Sequence, residues 1–441
     1  MVQNIILQPH QKKVVDFILN PSNKSILLFH SLGSGKTISS LSMAKQLMQK
    51  YPTKHVLVIT PVSLVSVFER ESKRLHINPR IESYNLFLNK LKAKQYTICK
   101  NSILILDEVQ NLNGESSITF KHLFDCSKKA FKIILLSATP VKNSPSELAN
   151  QASFLINEKV SRGNIETVFS MPDTIRANTF KKLLKCKVSF YQKDKNNSDY
   201  PTTSEHVIKL EMPIQFYKEY YKVQENIKKD LPDMFKSVKD LTVFLNGIRR
   251  SVNTTHNVSP KIDWIINKIK NDISNNKKVM VYSNWLDAGI NLLKNSLNDI
   301  GIKTSEITGK LTKAQKDFNV DQYNKGIVKV ILLSSSGGEG ISLKATRTVI
   351  LLEPHWNTAK IEQVIGRAIR FKSHSSLPLK DRKVDIYHLL LEKPGILYTG
   401  RDLVPSADII LYKLSKSKEK LIKIMYKILE DISIEKDKTC K

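Results

Sequence analysis

The segment His30-Ser31-Leu32-Gly33-Ser34-Gly35-Lys36-Thr37, set directly after the apolar run Ser25-Ile26-Leu27-Leu28-Phe29, constrains this chain more than any other. An apolar strand that turns through a glycine-rich loop into a helix beginning Lys-Thr forms a cradle of backbone N–H groups. The helix N-terminus adds its positive dipole end to that cradle. Phosphate oxygens of a nucleoside triphosphate are held there without large side chains. Lys36 is expected to reach the β- and γ-phosphates, and the Thr37 hydroxyl to ligate Mg²⁺. The pattern GxxxxGK[ST] is met except at its first glycine, where His30 stands.

Further along, the apolar run Ile103-Leu104-Ile105-Leu106 ends in Asp107-Glu108-Val109-Gln110. Two carboxylates at the end of an apolar strand suit the same chemistry, with Asp107 holding Mg²⁺ through water and Glu108 polarising the attacking water. Another apolar run, Ile133 to Leu136, ends in Ser137-Ala138-Thr139-Pro140. Hydroxyls there, beside Asp107 and Glu108, are placed to relay the state of the γ-phosphate. Near the other end lies Gln363-Val364-Ile365-Gly366-Arg367-Ala368-Ile369-Arg370. Arg367 and Arg370 are spaced i and i+3 and are predicted to share a helix face. A pair of this kind suits neutralisation of a phosphoryl transition state, an effect worth roughly 10³–10⁵ in rate. Singly, these features also describe a solvated acidic strand end, a Ser-Thr turn and two surface arginines. Together they describe a nucleotide site.

Composition sets the limits around that site. The chain has 441 residues, 41% of them hydrophobic and 25% charged, which reads as globular and large enough for two or three domains. Its apolar runs fall far short of the roughly 18 residues a membrane span needs. Gln8, His10 and Lys12-Lys13 come too early for a secretory signal. Four scattered cysteines (Cys99, Cys126, Cys186, Cys440) form no CxxC pair, so neither a zinc site nor a disulfide framework is expected, and a reducing compartment suits them. Lys plus Arg number 70 against 41 Asp plus Glu, a formal charge of +29. That excess favours a polyanion through counterion release, although a lysine-rich surface alone gives the same count and charge does not separate DNA from RNA.

Alternating apolar and helical stretches over the first 160 residues predict a parallel α/β sheet, with strands at Ile26–Phe29, Val56–Ile59, Ile103–Leu106 and Ile133–Leu136. The helix after the loop is predicted to run from Lys36 to Lys50, before Tyr51-Pro52. Residues 161–261 are polar and lysine-rich, and Tyr191 to Thr203 looks like a linker. Alternation resumes at Val279–Tyr282, Val330–Leu333 and Val349–Leu352, giving a second α/β unit. Between Ala407 and Ile432, the residues Ile410, Leu411, Leu414, Leu421, Met425, Ile428, Leu429 and Ile432 are expected on one face of a packing helix.

In order and spacing, His30–Thr37, Asp107-Glu108-Val109-Gln110, Ser137-Ala138-Thr139 and Gln363–Arg370 resemble motifs I, II, III and VI of superfamily 2 helicases and translocases. Leu7-Gln8-Pro9-His10-Gln11 is similar to the "LRPYQ" start of Swi/Snf-type members. Val56–Pro61 with Glu69 resembles motif Ia, which touches the nucleic-acid backbone. Leu136–Ser144 continues to Leu148 in the Swi/Snf manner, Ser334–Leu343 looks like motif V, and Trp356-Asn357 sits where the group has "WNP". From Arg370 to Pro378, and again from Ser406 to Ile434, the chain resembles the helicase-like ATPases of large cytoplasmic DNA viruses, the poxvirus nucleoside triphosphatase I and the early transcription factor small subunit among them. Gln110 departs from the pattern, since many relatives have His there, at a position that couples hydrolysis to nucleic-acid contacts.

This resemblance implies two RecA-like lobes, each a parallel sheet flanked by helices, plus a C-terminal packing helix. The lobes are expected at residues 1–195 and 196–395, the second opening with a bridging segment 196–260, and the helical tail at 396–441. ATP is expected against Gln11, which would read the adenine edge, the loop residues Ser31, Leu32, Gly33, Ser34, Gly35, Lys36 and Thr37, and Gly340. Lys36, Asp107, Glu108, Arg367 and Arg370 are the expected catalytic set, with Thr37 and Asp107 as Mg²⁺ ligands. A short C-terminal tail leaves polymerase docking to a partner protein. The leading expectation is a DNA-stimulated ATPase that translocates on DNA in viral transcription, in the host cytoplasm or packaged in the virion, with a viral RNA polymerase or transcription factor as partner and no membrane. An RNA helicase is the alternative within the same family, and an ATP-switched structural subunit the alternative outside enzymes.

Overall fold

The computed structural model describes residues 6–31, 33–92, 96–112, 118–192, 199–230, 245–255, 258–335, 341–395 and 404–440. The apolar runs become buried parallel strands. β1 (Ser25–His30), β2 (His55–Thr60), β3 (Arg80–Ser83), β4 (Ser102–Asp107), β5 (Lys132–Ser137) and β6 (Val188–Tyr191) pair in the order β3-β2-β4-β5-β1-β6. Every pairing is parallel. Helices cover both faces of such a sheet, so its strands are apolar throughout rather than alternating. Successive residues accordingly enter opposite cores. Leu27, Leu57, Leu104 and Leu135 lie in one cluster, and Ile26, Val56, Ile103 and Ile134 in the other.

A second sheet joins β7 (Thr202–Glu211), β8 (Lys278–Ser283), β9 (Thr304–Ile307), β10 (Val330–Ser334), β11 (Thr346–Leu351) and β12 (Lys383–Glu392) in the order β7-β12-β11-β8-β10-β9, again all parallel. It too separates two clusters, with Met280, Ile331 and Val349 on one side and Val281, Leu332 and Ile350 on the other. Each sheet has the architecture of a RecA-like lobe. The first compact unit comprises residues 1–194 with 418–441, and the second residues 195–417.

The structure revises several local expectations. The tail expected from 396 is divided between the units by the helix Ala407–Asp431. Its first turns put Leu411 at the cluster of Phe216 and Tyr220, whereas Ile422, Met425, Ile428, Leu429 and Ile432 enter the first sheet's core. Leu421 leaves the expected apolar face and is 45% exposed, and Ile422 is buried in its stead. Tyr191 and Thr202 are strand residues, so the supposed linker is confined to what lies between β6 and β7. Arg367 and Arg370 are not helical, because the helix Thr358–Ile365 ends one residue before Gly366. The Arg367 carbonyl accepts instead from the Leu343 N–H at 2.9 Å. The cysteines are not separate thiols. Cys99 pairs with Cys126 and Cys186 with Cys440, each with 5.3 Å between Cα atoms. Sequence separations of 27 and 254 gave no hint of either pairing. No helix among the described residues is long and apolar enough to cross a membrane.

One buried ion pair organises the second unit. Lys261 Nζ lies 2.5 Å from Asp408 Oδ2, with side chains 0% and 2% exposed. Lys261 also donates to Asn253 Oδ1 at 3.0 Å, and Asn253 Nδ2 donates to Glu353 Oε2 at 2.9 Å. Glu353 further accepts from Ser283 Oγ and the Asn284 N–H, and Asp408 from the Leu391 N–H. A lone buried charge costs far more than a paired one. Replacing Lys261 by Met leaves two buried carboxylates without their cation and should destabilise the protein by about 3–5 kcal/mol. Urea unfolding of the variant against wild type checks this, and a loss below about 1 kcal/mol would show that the pair is solvated.

Candidate active site

The candidate site of the first unit starts at its N-terminal helix. Pro9 opens α1 (Pro9–Ile18), where its missing N–H and fixed φ suit the first helical position. Gln11, on the first turn, accepts from the Gln8 N–H at 2.9 Å and donates Nε2 to the Ser34 carbonyl at 3.1 Å. His10 meets the same carbonyl at 3.1 Å. The "QPHQ" segment therefore clamps the glycine-rich loop from outside.

The loop itself needs its glycines. Gly33 and Gly35 have φ of 78° and 82°, left-handed values that strain other residues. An added Cβ at Gly35 would also collide with Gln11 Nε2. Gly35 is the N-cap of α2 (Lys36–Lys50), so it supplies no capping side chain and the first N–H groups of α2 face the loop. The buried Ser34 hydroxyl has no partner among the described residues. Lys36 Nζ folds back onto the carbonyls of His30, at 2.9 Å, and Ser31, at 3.3 Å. Thr37 is the second residue of α2, partly buried. Leu32 and Gly340, both expected at the nucleotide, lie outside the described residues.

Asp107 ends β4, two strands from β1, and its Oδ2 accepts from Thr60 Oγ1 of neighbouring β2 at 2.9 Å. Burial, then the charge of Glu108, pushes its carboxyl up to about 7, against the pull of Thr60 and Lys36. Tyr84 fixes the backbone by donating to the Asp107 carbonyl at 2.7 Å. Glu108 sits at φ 49°, a left-handed conformation costing a non-glycine residue about 1–3 kcal/mol, which persists only where neighbours impose it. One of those neighbours is Gln110, whose Nε2 donates to Glu108 Oε2. Gln110 Oε1 in turn accepts from Ser137 Oγ at 2.6 Å, and Ser137 Oγ accepts from the Thr139 N–H at 3.0 Å. A hydrogen-bonded run thus leads from Glu108 to the end of β5. The buried Thr139 hydroxyl has no partner among the described residues.

Thr60 falls within the segment Val56–Pro61 that resembles the backbone-touching motif Ia, and Tyr84 carries no signal in the sequence pattern. Thr60 reaches Asp107 from neighbouring β2 and Tyr84 from just past the end of β3, placements that no local spacing reveals. In the second unit, Arg370 donates Nε to the Gly366 carbonyl at 3.3 Å. Burial and adjacent Arg367 bring its guanidinium down to about 10, so two like charges are held together there. Arg367 also lines a small pocket with Tyr282, Ser334, Lys360 and Gln363.

The state of Asp107 links chemistry to stability. Its folded value near 7 exceeds the unfolded value near 4, so the folded chain binds more protons between the two. Stability is therefore lost as pH rises through that window, and the penalty is complete above pH 7. Asp107→Asn removes it and should raise the melting temperature at pH 8 by up to about 8–16 °C, the gap between the two values being worth about 4 kcal/mol and each kcal/mol about 2–4 °C, with little change at pH 4. Thermal melts at both values check the sign, and equal shifts would show that Asp107 titrates normally.

Comparison with known proteins agrees with this layout. Residues 10–103 match the SNF2-related domain and residues 260–372 the helicase conserved C-terminal domain. A protein of Acanthamoeba polyphaga mimivirus named as an ATP-dependent RNA helicase is 34% identical, over 98% of this chain and 99% of its own. Nucleoside triphosphatase I of Melanoplus sanguinipes entomopoxvirus is 24% identical, over 98% of this chain and 79% of its own. The helicase domain of Pyrococcus furiosus Hef shares the fold, with a TM-score of 0.54 at 15% identity, over 93% of this chain and 98% of that one. Two domain models in family order, and a relative this similar along nearly its whole length, establish that the chain belongs to the SNF2-related helicases of superfamily 2, enzymes that hydrolyse ATP.

Proposed function

We propose that this ATPase is stimulated by DNA and moves along it during viral transcription, with an RNA polymerase or transcription factor as partner. The observation that carries the reading is the run Glu108–Gln110–Ser137–Thr139. It ties the residue suited to polarise water to the end of a neighbouring strand, so a shift at one is felt at the other. An ATPase whose rate answers to a polymer needs such a connection. DNA is favoured because the motif set is of the Swi/Snf type and residues 10–103 match the SNF2-related domain, while the charge of +29 suits phosphate contacts to either nucleic acid that tolerate any sequence and weaken with salt.

In this reading Gln11 holds the loop and borders the adenine, while the N–H groups at Gly33, Gly35, Lys36 and Thr37 receive the phosphates. The left-handed glycines, the buried Ser34 hydroxyl without a partner among the described residues, and the α2 N-terminus without a capping side chain fit such an anion. Thr37 and Asp107 are the residues to hold Mg²⁺, which when bound supplies positive charge to the β- and γ-phosphates. The raised Asp107 carboxyl gives up its proton on binding a cation. Lys36 keeps two of its three ammonium protons on the His30 and Ser31 carbonyls and turns the third to phosphate, and Glu108 orients the water.

A second reading, an RNA helicase, is favoured by the printed name of the mimivirus relative. Steady-state ATP hydrolysis with no polymer, duplex DNA, single-stranded DNA or RNA separates the two. DNA is expected to raise turnover most, and a larger response to RNA would move the protein to the second reading. Lys36→Ala should lower turnover by about 10²-fold or more while the protein stays folded, and retained turnover would overturn the site. Arg370→Ala should lower turnover, by up to roughly 10³-fold, far more than ATP affinity. Equal loss of both would remove it from the transition state. Full activity of a complex carrying Glu108→Gln would favour a structural subunit that only binds ATP.

A further inference from the structure

His30 occupies the place where the loop pattern has glycine, and its side chain does not enter the loop. It points into the first unit, 0% exposed, while its carbonyl holds Lys36. Its Nε2 lies 2.8 Å from Ser189 Oγ on β6, the strand paired with β1. Ser189 Oγ donates to Glu435 Oε1 at 2.6 Å, and Glu435 Oε2 accepts from the Phe190 N–H at 2.8 Å. Glu435 comes from the last segment of the chain, which the Ile434 N–H fastens to the Val188 carbonyl at 2.9 Å and the Cys186–Cys440 disulfide ties beside β6.

The direction of these bonds is set by Glu435. A carboxylate only accepts, so the Ser189 proton goes to it. The Ser189 oxygen is then left to accept, and His30 must carry its proton on Nε2. Nδ1 is consequently bare, and it has no partner among the described residues. Burial and the nearby Lys36 charge hold the ring neutral, as this pattern requires. The same end of β6 touches the loop twice more. The Tyr191 carbonyl accepts from the Ser31 N–H at 2.9 Å, and the Tyr191 ring stacks on His10 at 3.6 Å.

Resting on the ATPase reading above, we propose that Glu435 is a positioning residue for ATP binding, acting through Ser189 to fix His30 and with it the carbonyl that orients Lys36. Glu435→Gln keeps the shape and offers an amide donor. With its oxygen accepting from Phe190 N–H, the amide nitrogen faces Ser189, which must then donate to His30 and push the ring to the Nδ1–H form.

The test uses the full-length protein with ¹⁵N-labelled histidine, His30 being assigned by its loss in His30→Gln. Wild type is expected to show the neutral Nε2–H form at His30, and Glu435→Gln the Nδ1–H form. Glu435→Gln and Glu435→Ala should raise KM for ATP roughly three- to tenfold with kcat little changed, the loss expected of one hydrogen bond felt equally in ground and transition states. Glu435→Asp should restore most of it. A melting temperature within a degree or so of wild type separates this from unfolding, and Ser189→Ala supplies the same break if Glu435→Ala does not fold. An Nδ1–H form in wild type, or an unshifted KM in every folded Glu435 and Ser189 variant, overturns the proposal. Absence of turnover in wild type overturns the functional reading and this role with it, whereas turnover with unshifted KM overturns this role alone.

Discussion

A lysine ammonium folded back onto the carbonyls of its own loop is the interaction around which the first unit is arranged. Lys36 holds His30 and Ser31, and thereby closes the turn from β1 to α2 in a shape that Gly33 and Gly35 alone permit. Everything around the loop keeps that turn in place. Gln11 and His10 hold Ser34 from one side, and β6 holds Ser31 and His30 from the other. A loop held from both sides carries a lower ordering cost for an anion bound there.

Asp107 shows the tension between folding and chemistry. A carboxyl at the buried end of β4 weakens the fold when ionised, yet a cation ligand has to be ionised. Thr60 and Tyr84 hold it in one geometry, and Glu108 beside it accepts a left-handed backbone. The strain and the uncompensated charge lie at the same point of the sheet, where parallel strands end and ligands commonly bind. The second unit spends its buried charge differently. Lys261, Asp408, Asn253 and Glu353 satisfy one another, and their network fastens the start of the C-terminal helix to the strands.

Gln110 gives the departure from the family pattern a physical meaning. An amide has both a donor and an acceptor end, so it can hold Glu108 with one and Ser137 with the other. A neutral histidine also offers a donor and an acceptor, but its charge varies near neutral pH, as that of glutamine does not. The connection in this chain is therefore independent of pH at that residue.

Much of this was legible in the sequence because it depends on neighbours along the chain. The strands were visible as apolar runs, since parallel sheets bury both faces. The loop was visible because its turn requires glycine at fixed offsets, and α2 runs from Lys36 to Lys50 as its pattern predicts. Features decided by residues far apart were not visible. Thr60 meets Asp107 across a strand pair, Cys186 meets Cys440 over 254 residues, and Glu435 returns to β6 from the chain's far end. Arg367 and Arg370 lie beyond the end of their helix, where the Leu343 N–H, far away in the chain, meets the Arg367 carbonyl. Hydrophobic period and backbone conformation are local properties, so the two parallel sheets and the glycine-rich loop follow from the order of residues alone. The partners that orient the acid pair and stand behind the loop are chosen by strand order and by the return of the C-terminal segment, so they exist only in the folded chain.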